Sequence, residues 1–276
     1  ELNIDRYLRN IFKKVKEKSR TASINLITGN EHKYYAARVH LKNTGCSFDG
    51  KYRLTGDLLD HVGAGRGVEN AIPHSIKIKL RDGRIGNITK FKLFVPKTRR
   101  GRAEVFNVLL HKELGFVAPR TALIAVQIGG QEFNAIFQED LSKELLEYNK
   151  FHEALIIEGD EGYAPLSNPK IVNGSFIKSD YFAKIGADVL DDLGSLYQKT
   201  SQAAFENADK SSTLQTDPPL DITLLAKKHK PRFQMFHLLN FGLHSADGLS
   251  RDDHRIFYDH IGRNYHPIYY DGHAGV

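Results

Sequence analysis

Apolar and polar positions along the chain follow two rhythms. Ile4, Leu8, Ile11, Phe12 and Val15 recur at helical spacing, which predicts an amphipathic helix to about Lys18. Alternation with a period of two then takes over in Tyr34 to Leu41, Lys51 to Leu59 and Ser75 to Leu80, and these read as strands. Asp82-Gly83 and Ile85 to Ile88 predict a hairpin running on toward Phe91 to Phe94. After Pro96 the pattern changes. Glu104 to Leu114 predicts a helix ending at Gly115, with Phe106, Leu109, Leu110 and Leu114 on one apolar stripe. Ala122 to Ile128 and Glu132 to Gln138 predict two strands around Gly129-Gly130, and Glu139 to Tyr148 has helical spacing.

The rest is mainly helical. Tyr181 to Tyr197 carries Ile185, Val189, Leu190 and Leu193 on one face, and Arg232 to Leu243 carries Phe233, Phe236, Leu239 and Leu243. Glu158 to Asp180 is rich in Gly, Pro, Asn and Asp and reads as a long loop or domain joint. Thr200 to Pro219 is polar and reads as a loop or short helix. Arg255 to Tyr258 and His266 to Tyr270 predict two short strands around Gly262. A sheet-rich first half, a helical second half and a closing hairpin make an α+β pattern with a cleft between lobes.

Composition narrows the classes. In 276 residues, 41% hydrophobic content supplies a substantial core and excludes wholesale disorder. No apolar run approaches the roughly 20 residues of a membrane-spanning helix. Cys46 is the only cysteine, which excludes an intrachain disulfide and any zinc site built on paired cysteines. The 39 Lys and Arg against 33 Asp and Glu give a net charge of +6, compatible with a phosphate or polyanion partner. The excess gathers between Arg6 and Arg20, where it also reads as a solvated helix face, and between Lys97 and Arg102. Neither cluster reads as an aromatic-interleaved basic motif of a nucleic-acid binder, so a nucleic-acid partner is not expected. A chain that begins at Glu1 reads as a fragment or processed piece.

The most informative stretch runs from His244 through Asp247, Asp252, Asp253 and His254, then on to Asp271-Gly272. An apolar helix ends, a polar loop presents one Asp, an acidic pair follows, and a short hairpin leads to Asp-Gly. Phosphoryl transfer on a kinase fold needs these parts in this order: a loop Asp for the acceptor hydroxyl, a second metal ligand, and an Asp that binds the phosphate-bridging metal. Oxygen ligands of this kind suit Mg²⁺ or Mn²⁺. Any one Asp before Gly is also a common turn starter. The clustered His244, His254, His260, His266 and His273 admit a His/Asp metal hydrolase, although their spacing matches no zinc motif.

If that hairpin is catalytic, the first half must supply phosphate contacts. Gly63-Ala-Gly65-Arg-Gly67 lies between two predicted strands and offers backbone amides. In Ser75-Ile-Lys77-Ile-Lys79-Leu80 the two lysines share one strand face. Glu104, in the first turn of the following helix, fits as the carboxylate that pairs with such a lysine, and Glu113 is the alternative.

Taken together these residues resemble the CotH-type kinases, an atypical kinase-like family named for spore coat protein H. The resemblance is carried by Tyr52-Arg-Leu-Thr-Gly56, Ser75 to Leu80, Phe91-Lys-Leu-Phe-Val-Pro96, Glu104 to Gly115 running into Ala118-Pro119-Arg120, Ala135-Ile-Phe-Gln138-Glu139, and Asp247 with Asp271-Gly272. It implies a divergent protein-kinase-like bilobal fold, with a sheet-rich N-lobe over residues 1–138 and a mainly helical C-lobe over 139–276 that continues past the last residue. It implies an enzyme that binds ATP with Mg²⁺ or Mn²⁺ and phosphorylates a protein or another hydroxyl-bearing acceptor. Lys79, with Lys77 next, corresponds to the phosphate-binding lysine, and Gln138 and Glu139 to the strand entering the interlobe hinge. Asp247 corresponds to the catalytic Asp, Asp253 or Asp252 to the second metal ligand, and Asp271 to the Asp-Gly ligand. An Asp where the family has Asn leaves open an inactive kinase-fold binding module, and the basic N-terminus with Lys97 to Arg102 leaves open a polyanion-binding protein.

Overall fold

The structure is a computed structural model that describes residues 33–56, 74–128, 130–159, 169–174, 176–208, 230–249 and 253–272. The helix expected before Lys18, Gly63, Gly65 and Asp252 lie outside these residues. The chain folds with mixed α and β content into two compact units. One takes in the described residues up to Val105 together with Arg120–Asp140. The other holds Phe106–Pro119 and the described residues from Leu141 onward.

The first unit is a curled, antiparallel six-stranded sheet. Its strands are β1 (Tyr35–His40), β2 (Ser47–Leu54), β3 (Ile76–Leu80), β4 (Lys90–Phe94), β5 (Thr121–Ile128) and β6 (Gln131–Glu139), in the order β1-β2-β3-β4-β6-β5. Side chains alternate across a strand, so each run separates into two faces. Tyr52, Leu54, Ile76, Ile78, Leu80, Phe91 and Leu93 turn to one face and join Ile128 and Ala135 in a buried cluster. The residues between them turn to the other face. Ile85 and Ile88 form an isolated bridge rather than a strand of their own, and β4 begins only at Lys90.

In the second unit, β7 (Leu155–Glu158), β8 (Lys170–Ile171), β9 (Arg255–Asp259) and β10 (Asn264–Pro267) form an antiparallel sheet in the order β10-β9-β7-β8. β8 falls inside the segment expected to be a loop. The continuous apolar run Leu155-Ile156-Ile157 is that of a strand covered on both faces. Leu155 and Ile157 pack with Val189, Leu193, Leu196 and Tyr197 of α3 (Asp180–Ala208) and with Phe233 of α4 (Lys230–Gly242). Ile156 packs on the opposite side with Phe257, Ile268, Tyr270, and Leu145 and Leu146 of α2 (Lys143–Tyr148). The helix spacing in Glu139 to Tyr148 is realised only from Lys143, because Glu139 is still the last residue of β6. α3 runs on to Ala208, where a loop or short helix was expected from Thr200; that stretch contains neither Gly nor Pro to stop it.

The helix α1 (Arg102–Glu113) departs furthest from its sequence pattern. Phe106, Leu109 and Leu114 of the expected stripe are each at least half exposed, while Glu104, Asn107, Val108 and His111 are the buried positions. No helix among the described residues is long and apolar enough to cross a membrane.

Candidate functional site

The polar face of the first sheet is built from three short runs of the same form, Lys51-Tyr-Arg53, Lys77-Ile-Lys79 and Lys90-Phe-Lys92. Register aligns them. Arg53 pairs with Lys77 and Lys77 with Lys92, while Lys51 pairs with Lys79 and Lys79 with Lys90. Directly opposite residues on antiparallel strands share a face, so six cations stand in two rows across β2, β3 and β4. All but Lys79 are half-buried. Like charges so placed repel one another, and a fold retains them at the cost of stability unless something compensates.

Part of the compensation is Asp140, the residue after β6. Its Oδ2 lies 2.5 Å from Lys77 Nζ. Burial alone would raise the Asp140 carboxyl, but Lys77, Lys92 and Lys90 outweigh it and hold the group below the ordinary carboxylate range. Beside it, Gln138 stands opposite Lys92 in the register and donates from Nε2 to Glu104 Oε1 at 3.0 Å, both side chains being fully buried. The pairing of Lys79 with Glu104 expected from the sequence is corrected by this register. Gln138 places Glu104 in the Lys77–Lys92 row, whereas Lys79 belongs to the other row and is exposed. Glu139 points to the opposite face. Its carboxylate takes Arg120 Nε at 2.8 Å and Nη2 at 2.6 Å, a bidentate clamp between the end of β6 and the start of β5.

In the second unit the structure brings together the backbones of two expected site segments. Asp247 lies in the 3₁₀ turn Ala246–Leu249. A Cβ added to its neighbour Gly248 would sit 3.4 Å from Gly272 Cα and 3.6 Å from the Tyr270 carbonyl oxygen, so the turn rests directly against Asp271-Gly272. Asp271 adopts φ +56°, a left-handed conformation uncommon for a residue with a Cβ and found disproportionately at functional sites. Asp253 is drawn elsewhere. Its Oδ1 is 3.4 Å from Arg255 Nη1, and the buried Arg255 also reaches Glu158 Oε2 at 3.6 Å. Glu158, which the sequence left without a role, is thus an ion-pair partner of Arg255 and of Lys170.

The turn is tied down from below. Ser245 accepts a hydrogen bond on Oγ from Asn107 Nδ2 at 2.7 Å. His111 donates from Nδ1 to the Asn107 carbonyl at 2.8 Å and accepts from Asn240 Nδ2 on Nε2 at 3.2 Å, which fixes its neutral tautomer. Its ring stacks on Tyr269 with centroids 4.0 Å apart. Burial lowers the His111 pKa to about 4 and that of the fully buried His254 to about 3, so both are neutral near pH 7.

These features define an α+β protein with a cation-faced antiparallel sheet in one unit and carboxylates on a turn and a hairpin end in the other. The chain matches no protein-family model and no curated protein. Sequence reading missed Asp140, Lys51, Arg53, Lys90 and Lys92. The signal for the cations was available in the recurrence of a basic residue, an aromatic or Ile, and a second basic residue on successive strands. Asp140 had no such signal, since an Asp three residues before a helix reads as part of a cap.

Proposed function

We propose that the protein is an ATP-dependent phosphotransferase of the kinase-like, CotH-related kind, with a divergent bilobal kinase fold. In this reading the first unit holds the nucleotide phosphates, using Lys77 with Lys79 and Lys92. The second supplies Asp271 as a ligand of Mg²⁺ or Mn²⁺ and Asp247 as the residue that orients the acceptor hydroxyl. The acceptor is a protein or another hydroxyl-bearing molecule. The observation that carries the reading is the double row of cations on one sheet face, with the buried carboxylates Asp140 and Glu104 at its Lys77–Lys92 row. Rows of Lys and Arg side chains are the groups that bind the oxygens of a triphosphate. The contact between the Gly248 backbone and Gly272 supports it further, because a metal ligand and an acceptor-orienting Asp must be neighbours.

One observation favours a second reading, a nucleotide-binding module without catalysis. Asp253, the expected second metal ligand, is engaged by Arg255. Transfer of labelled γ-phosphate from ATP, with Mg²⁺ or Mn²⁺, to the chain itself and to a generic protein acceptor separates the two. The transferase reading expects label incorporation that Asp247→Ala lowers at least a hundredfold and Asp271→Asn abolishes. Binding of ATP with no transfer by the parent protein establishes the module instead.

A further inference from the structure

We propose that His152, Asp259 and His260 form a binding site for a divalent transition ion of the Zn²⁺ class, a site that does not depend on the nucleotide reading. One ligand atom from each of the three side chains lies within 4.8 Å of the other two. His152 Nε2 is already 2.9 Å from Asp259 Oδ1. Bonds of roughly 2.0–2.1 Å to a tetrahedral ion place its ligand atoms a little over 3 Å apart, so small rotations of these side chains admit the ion. Two imidazoles and one carboxylate are the donors that Zn²⁺, Co²⁺ or Fe²⁺ prefers, whereas Mg²⁺ seeks an all-oxygen shell. The site is therefore chemically distinct from the oxygen ligands Asp247 and Asp271.

The arrangement is held in place by the fold. Asp259 closes β9, and its Oδ1 accepts the backbone amides of Ile261 at 2.9 Å and Gly262 at 3.1 Å. A Cβ on Gly262 would come within 2.5 Å of Asp259 Oδ2, so this turn accommodates the carboxylate because residue 262 is glycine. The His260 ring stands edge-on to Phe182 at 5.1 Å and to His152 at 5.2 Å, which limits its swing. His152 comes from the segment before β7, and its side chain is 39% exposed, giving the ion a path from solvent and a coordination position for water. An ion here ties the segment before β7 to the β9–β10 turn.

Co²⁺ titration of the metal-stripped 276-residue chain, followed by its visible d–d absorption and by Zn²⁺ displacement in excess Mg²⁺, tests the site. One Co²⁺ per chain, displaced by one Zn²⁺, is expected. His152→Ala and Asp259→Asn should each weaken Zn²⁺ binding at least tenfold with unchanged circular dichroism, since an Asn carbonyl still accepts the two turn amides. His40→Ala, on β1 of the other unit, should leave the affinity unchanged. Failure of the parent to bind one equivalent, or variants that bind as tightly as the parent, overturns the assignment.

Discussion

Lys77 and Asp140 meet at 2.5 Å, the lysine on a central strand and the carboxylate just past the last residue of the strand two places away in the sheet. The pair makes a crowded row of like charges tolerable. The two rows together carry six cations beside the buried carboxylates Asp140 and Glu104, and on this account the face takes phosphate.

Removing the carboxylate should therefore cost stability while increasing the positive charge of the face. Asp140→Ala strands Lys77 in a largely buried setting, for which a loss of about 3 kcal/mol is expected, at the low end for buried pairs because Lys77 keeps some solvent. Urea unfolding should show a lower midpoint, and the Lys77→Met, Asp140→Ala double variant should recover part of the loss. The Asp140 pKa is depressed in the folded state, so its stabilisation is present above the ordinary carboxylate range and is lost as pH falls below about 4. An unchanged midpoint in Asp140→Ala contradicts the compensation argument.

The buried histidines set a second, milder acid limit. His111 titrates at about 4 when folded and near 6.5 when unfolded, so the unfolded chain binds the extra proton between those values. Stability thus rises with pH across that window, by up to about 1.4 kcal/mol per pH unit for this residue. Melting temperature should fall steadily from pH 7 to pH 5. His111→Asn should be less stable at pH 7 and show a shallower decline, and an equally steep decline in that variant rules out His111 as a source of the slope.

Gly272 is the packing point between the Asp247 turn and the hairpin end. A Cβ there would lie 2.9 Å from the Tyr269 ring, closer than real contacts allow, and 3.0 Å from Ser245 Cβ, a tight contact. Gly272→Ala should cost about 1–3 kcal/mol as overpacking. It should also reduce activity more than its stability loss accounts for, because it displaces Asp271. Wild-type melting and activity in Gly272→Ala would show that the two segments are not held against each other.

Strands were the legible part of this sequence. Alternation in Lys51 to Leu54, Ser75 to Leu80 and Glu132 to Gln138 follows directly from one buried and one polar face, and the structure places strands there. Register was not legible, because pairing partners are set by contacts between distant segments. Lys77 and Lys79 look alike in sequence, and only their neighbours on β2 and β4 assign them to different rows. α1 misled for another reason. Phe106, Leu109 and Leu114 of its apolar stripe lie largely in solvent, while the buried Glu104, Asn107 and His111 are satisfied by hydrogen bonds to Gln138, Ser245 and Asn240, a choice hydropathy does not register. The candidate carboxylates Asp247 and Asp271 were legible as an order of motifs, whereas the backbone contact beside them required the fold.

Isothermal titration of the 276-residue chain with ATP, in Mg²⁺ and in Mn²⁺, tests the central claim most directly. The account predicts one ATP per chain, with affinity reduced at least tenfold by Lys77→Met and by Lys92→Met and unchanged by Lys112→Met, whose ammonium lies over Tyr148 in the other unit. Absence of ATP binding with either metal, or equal affinity in the Lys77 and Lys92 variants, contradicts the assignment of the cation face to nucleotide phosphates.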